Sequence, residues 1–241
     1  MKRTYVLVHG AVHGGWCWRY VASRLRSAGH EVYTPTQTGL GERRHLMSRD
    51  ITIDTFVDDI AQVFEAEELT DVYLVGHSFG GNAVLGVADR MPQRVRHLVL
   101  LDALVPTPGK SIFDGLPPDV AASRQQAAEQ STGGLSMPAP PATAFGLVPG
   151  RDSAEDIAWV NRRLTPHPWN TFLSVLTLKN PVGNGVPATY IRCTDPSYPV
   201  VGPSAEIAKG RVDWRYLELR TGHDAMVSAP AELTQLLTEL D

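Results

Sequence analysis

The sequence predicts an α/β fold, a mostly parallel sheet with helices on both faces. Two observations carry this. Short apolar runs alternate with segments of helical periodicity, the pattern of successive βα units. The length of 241 residues also suits one well-covered α/β domain better than two. Composition is that of an ordinary globular chain, 43% hydrophobic and 20% charged.

The strands are expected at Thr4–His9, Glu31–Thr34, Asp71–Val75, His97–Leu101, Thr189–Cys193 and Arg215–Leu219. Between the first two, Trp18, Val21, Ala22 and Leu25 recur at helical spacing, and Gly29 supplies the stop. Between the second and third, Phe56, Ile60, Val63 and Phe64 mark another amphipathic helix. A final helix is expected with Ser228 as cap, Pro230 in its first turn, and Leu233, Leu236, Leu237 and Leu240 inward. From Pro106 to about Leu178 no strand is apparent, and "GGLSMPAPPATAFGLVPG" is rich in Pro, Gly and Ala. Residues 106–178 therefore read as an insertion into a core of 1–105 and 179–241, placed over the carboxyl ends of the strands, where open α/β sheets bind ligands.

A net charge of −4 supplies no attraction for nucleic acid or an anionic membrane, so neither is expected as a partner. The first apolar run, Tyr5 to Val8, is too short for a signal peptide, and no later run approaches a membrane span. Cys17 and Cys193 are the only cysteines, far apart in sequence, which fits a reducing cytoplasm better than a disulfide scaffold. His, Cys and Asp do not cluster at ligand spacing, so no metal or other cofactor is expected. The oligomeric state is not written in the sequence, and a homodimer is left open.

The chemistry centres on "LVGHSFGGNAV", in which Gly76, Ser78 and Gly80 spell G-x-S-x-G. The pattern alone is common. Here a buried-type strand, "DVYLV", runs directly into it and a small-residue helix, "GGNAVLGVADR", runs directly out. A serine at such a turn projects its hydroxyl from the sheet edge as a nucleophile. The backbone N–H of Phe79 is then one oxyanion donor, and that of Ala11, in the "HGAVHGGWCW" loop after the first strand, is the other.

Among eight histidines, His223 stands out. It lies in "LRTGHDAM", between the last strand and the last helix, where the general base of this chain order belongs. His9, His13 and His77 are explained by local loop packing, and His30, His45 and His97 by element ends or surface positions. The acid has two candidates. Asp195 is the carboxylate of the loop "YIRCTDPSYP" after the penultimate strand, and Asp102 ends the strand "HLVLLDALVP".

Taken together, "VLVHGAVHGGWCW", "TPTQTGLGERRHL", "GHSFGG", "LLDALVP" and "TGHDAM" resemble a branch of the α/β-hydrolase superfamily. That branch holds plant salicylate-methyl-ester esterases, hydroxynitrile lyases and methylketone synthases, with bacterial carboxylesterases, some acting on carbamate or aromatic esters such as carbendazim. The resemblance implies an α/β-hydrolase fold with a cap inserted between strand 6, in the family's strand order, and the following core helix. It implies Ser78 as nucleophile, His223 as base, and Ala11 and Phe79 as oxyanion donors.

Two departures from the family pattern matter. The lyases carry a lysine directly after the catalytic histidine and a hydroxyl residue in the oxyanion loop, and here those positions are Asp224 and Gly10. Without the lysine nothing stabilises a cyanide leaving group. The plant enzymes carry their acid two residues beyond Asp195, where this chain has Ser197, while "LLDA" resembles bacterial members with an acid at the earlier strand. Asp102 is therefore favoured over Asp195.

The resulting expectation is a serine carboxylesterase of the EC 3.1.1 class, acting on a small aromatic or carbamate ester through Ser78, His223 and Asp102. A hydroxynitrile lyase and a non-hydrolytic small-ligand receptor are the alternatives on the same fold. Cys17, near a helix N-terminus, reads first as a buried small hydrophobe and second as a reactive thiol. Trp159, His167 and Trp169 stand in the insertion as candidates to line the pocket or simply to pack.

Overall fold

Six of the apolar runs pair into one parallel sheet in the structure, a computed structural model that describes residues 2–240. Its strands are β1 (Thr4–Val8), β2 (Glu31–Tyr33), β3 (Val72–His77), β4 (Val95–Leu101), β7 (Ala188–Cys193) and β8 (Trp214–Leu219), in the order β2-β1-β3-β4-β7-β8. The order reverses direction around β1 and β3, which opens a crevice at their carboxyl ends. β3 shows why a parallel strand reads as continuous apolar sequence: all six of its residues are buried.

Alternate side chains of the strands feed two cores. Val6, Val8, Leu74, Leu98 and Leu100 pack on one face with α2 (Ile53–Ala66), α3 (Gly80–Arg90) and α7 (Gly202–Lys209). Tyr5, Leu7, Val75, Val99 and Leu101 pack on the other with α1 (Arg19–Ser27) and α9 (Pro230–Thr238). Phe56, Ile60 and Phe64 of α2 have no exposed surface, as their spacing predicts. Thr52 and Thr55 close a reciprocal capping box at the start of α2. Truncating a core residue such as Leu74 to alanine costs about 2–5 kcal/mol.

Residues 106–178 carry α4 (Pro118–Thr132), α5 (Ala154–Asn161), the single turn α6 (Asn170–Leu173) and two short strands. Those strands, β5 (Ser136–Met137) and β6 (His167–Pro168), pair antiparallel, where the sequence shows none. Two residues are too few to display a period, so nothing in the sequence marks them. From α6 the chain reaches β7 without a further helix.

Two local expectations are corrected. Ser228 does not cap the last helix: it ends α8 (Ala225–Ser228), and its hydroxyl lies 2.7 Å from that of Thr221. Ala229 stands at the cap instead, ahead of Pro230. His97 is buried rather than at the surface, with Nε2 2.9 Å from the Thr189 hydroxyl on the neighbouring strand β7.

Candidate active site

Ser78 occupies the turn between β3 and α3 with φ of +52°, the left-handed region that non-glycine residues seldom adopt. Three backbone bonds hold it there. Its N–H donates to Leu101 O (3.1 Å), and its carbonyl accepts from Gly81 N (3.1 Å) and Leu104 N (2.9 Å). The turn needs glycine beside it. A Cβ on Gly80 would lie 2.5 Å from His9 O, and one on Gly10 would lie 2.8 Å from Ser78 Cβ. The second contact explains why the oxyanion loop carries no side chain at position 10.

The hydroxyl of Ser78 meets the ring of His223, from the loop between β8 and α8, with Oγ 2.9 Å from Nε2. The other ring nitrogen, Nδ1, is 2.6 Å from Asp102 Oδ2. A carboxylate only accepts, so Nδ1 carries the proton and Nε2 accepts from the serine. Asp102 sits just past β4 at φ of +41° and is fully buried. Its other oxygen accepts from Arg192 Nη1 (2.7 Å) and Cys193 N (3.1 Å), both on β7. Asp195 is elsewhere. Its carboxylate is half exposed and accepts from Arg220 Nε at 3.2 Å.

Four further histidines lie buried around these residues, each tied by hydrogen bonds to neighbouring loops. His9 donates from Nδ1 to Gly10 O (2.8 Å) and accepts at Nε2 from Gln37 N (3.0 Å). Burial lowers its pKa to about 3. His77 donates from Nε2 to the carbonyl of His223 (3.0 Å), and burial, reinforced by repulsion from His223 and His13, holds it well below the usual histidine range. His167 accepts from Val12 N (3.2 Å) and lies 2.9 Å from the Thr171 hydroxyl. Burial depresses it strongly as well.

His13 differs from the other three. Its Nδ1 donates to Ala11 O (2.8 Å), and its Nε2 lies 3.1 Å from Asp224 Oδ2. Burial opposes its charged form, but the Asp224 charge and hydrogen bond outweigh burial and raise its pKa. The pair ties the loop after β1 to the loop holding His223. Asp224, at the position where the resemblance places the lyase lysine, is fully buried and does not line the cavity above Ser78. With Val12 at φ of +61° and its N–H on His167, the peptide after Ala11 is held from both sides.

Above Ser78 is a cavity of about 380 Å³ bordered by Ala11 and Phe79, the two expected oxyanion donors. Its aromatic wall is Phe79, Phe145, Phe172 and Tyr198, with Met137 beside them and Arg124 from α4 as the one charged lining residue among the described residues. The Tyr198 ring lies tilted against that of His223, with centroids 4.1 Å apart. Trp159, His167 and Trp169 do not line it. Trp159 packs on Trp16 and Tyr20, Trp169 on Phe113 and Phe172, and His167 among Phe56, Phe79 and Phe172. Of the lining, the sequence reading reaches only the residues of the elbow and the oxyanion loop. Phe145, Phe172 and Tyr198 carry no local signal beyond their aromatic type. Cys17 is fully buried, and burial followed by the Asp224 charge pushes its thiol well above the ordinary range, which leaves the packing role.

A parallel sheet with serine at the β3–α3 turn and histidine beyond the last strand defines a class, and the chain belongs to it. It is a member of the alpha/beta hydrolase family, whose model matches residues 5–236. Within that family it is 42% identical to the carbendazim hydrolyzing esterase of Nocardioides sp. (strain SG-4G), with 98% of each chain covered. It is 34% identical to methyl jasmonate esterase 1 of Vitis vinifera over a more limited stretch, 44% of this chain and 41% of that one. Among solved structures it superposes with a TM-score of 0.84, at 25% identity and 98% coverage of both chains, on an extracellular alpha/beta-hydrolase from a Paenibacillus species. That protein is described as sharing structural and functional homology with tobacco salicylic acid binding protein 2.

Proposed function

We propose that this esterase-type α/β hydrolase is a serine carboxylesterase for small esters, aromatic and carbamate esters among them, working through Ser78, His223 and Asp102. The observation that carries the reading is the unbroken chain of hydrogen bonds from Ser78 Oγ through both nitrogens of His223 to Asp102, opening on an apolar cavity. Ser78 Oγ attacks the ester carbonyl as His223 Nε2 takes its proton. The N–H groups of Ala11 and Phe79 hold the oxyanion, and Asp102 stabilises the imidazolium. His223 returns the proton to the departing alcohol, and a water it then activates releases the acid from the acyl-enzyme.

Arg192 and the Cys193 amide support this role for Asp102, because they keep its second oxygen occupied while the first faces the imidazole. The aromatic wall and the relative that hydrolyses carbendazim support a flat, conjugated substrate. The test pairs kinetics with labelling. Turnover of 4-nitrophenyl acetate is expected to fall by about 10³-fold or more in Ser78→Ala. A fluorophosphonate is expected to add once to the wild-type chain, at Ser78, and not to the variant. Retained turnover in Ser78→Ala overturns the mechanism. Absence of turnover in the wild type, with tight ligand binding, leaves a receptor instead.

A further inference from the structure

Arg124 is the feature of the cavity that ester hydrolysis by itself does not explain. It projects from α4 into a wall otherwise made of neutral side chains. Its guanidinium lies over the Phe172 ring, 5.4 Å from the centroid, and Nη2 is 3.5 Å from the Tyr198 hydroxyl, a long contact. Among the described residues it makes no salt bridge. A guanidinium has five N–H donors in a planar fork, so most of this one's capacity is free. It is half-buried against an aromatic face, which strips part of its hydration and strengthens its demand for an anion.

We infer that Arg124 selects substrate, and that the cavity takes esters which carry a carboxylate elsewhere in the molecule. The inference rests on the reading of Ser78 as nucleophile. One planar fork with one positive charge matches a carboxylate, which accepts two parallel N–H bonds and brings one negative charge. A phosphate monoester brings nearly two charges, and the second would have no partner among the neutral residues around it. A cationic ester is repelled. Phe172 beneath the guanidinium and Tyr198 beside it hold the fork in place, so less freedom is lost when the anion docks.

The discriminating experiment uses matched pairs of esters. On the acid side the pair is monophenyl adipate against phenyl hexanoate. On the alcohol side it is 4-carboxyphenyl hexanoate against 4-methylphenyl hexanoate. For at least one pair, the ratio of kcat/KM for the carboxylate ester to that for its neutral match is expected to fall about tenfold or more in Arg124→Gln. Arg124→Lys, which keeps the charge and loses the fork, is expected to fall between. If the ratio is unchanged for both pairs, Arg124 does not select for a carboxylate.

Binding separates this outcome from failure of the Ser78 reading. In Ser78→Ala, calorimetric titration with the same four esters measures recognition without chemistry. Preferential binding of a carboxylate ester, lost on adding Arg124→Gln, supports the anion site even if no ester is turned over. Equal binding of both members of each pair overturns it.

Discussion

Replacing Asp224 by asparagine tests the charge state of the buried pair that joins the loop after β1 to the loop holding His223. Asp224 and His13 are 0% and 1% exposed, with Oδ2 and Nε2 3.1 Å apart. Stranding one member of a buried ion pair costs about 3–5 kcal/mol. Asparagine keeps the shape and one acceptor oxygen, and His13 escapes part of the penalty by losing its proton, so about 2 kcal/mol is expected at pH 6. For a chain of this length the entropy of unfolding is about 0.5 kcal/mol per kelvin, so the melting temperature should fall by about 4 °C.

The pH dependence carries the stronger test. In the wild type the pKa of His13 is raised above its unfolded value, so the stability it contributes is complete below about pH 6.5 and is lost as pH rises through the raised folded value. In Asp224→Asn the carboxylate charge is gone. Burial, the largest of the remaining influences, then outweighs the Ala11 hydrogen bond and lowers that pKa, so the variant instead gains stability as pH climbs out of the acid range. The gap between the two proteins should therefore narrow from pH 6 to pH 9. Urea unfolding followed by tryptophan fluorescence reads it, with Trp16 stacked on the His13 ring as a local reporter. A gap that stays constant over that range would falsify a charged His13.

Two other outcomes follow from the same geometry. Asp102→Asn should lower kcat by about 10³–10⁴-fold through loss of imidazolium stabilisation, while Asp195→Asn, at a half-exposed surface pair, should stay within about threefold of wild type. The opposite ranking would move the acid to the later loop. Neither Cys17 nor Cys193 should react with a disulfide reagent in the native protein, and both should titrate in denaturant. A thiol modified within minutes under native conditions would show that its burial is wrong.

The sheet was legible because its central strands are buried on both faces and so appear as apolar runs bounded by Gly, Pro or charge. Ser78 was legible because its local context, strand then helix, lies within about a dozen residues of sequence. The acid was not. Asp102 and Asp195 both follow sheet strands, and which of them faces His223 depends on how β4 and β7 abut the last loop. His9 and His13 do bond locally, to Gly10 and Ala11, as loop packing suggested. The partner that sets the charge of His13 lies 211 residues away, and no local pattern reports it. The cap hid most. The helix α4 buries only Ala128, so it shows no apolar stripe, and beyond the elbow and oxyanion loop the cavity wall is assembled from single residues such as Arg124, Phe145, Phe172 and Tyr198.

The spacing of the three side chains also has a consequence for synthesis. Asp102 and His223 are 121 residues apart, and His223 is bonded back to Ser78 and, through its neighbour Asp224, to the first loop. At translation rates of about 5–20 residues per second, roughly 6–24 s pass between polymerisation of Asp102 and polymerisation of His223. During that interval the nascent chain holds the serine and the aspartate with no imidazole between them. Under the proposed mechanism a nascent chain stays silent towards esters until His223 has been added and its loop has closed onto the loop after β1.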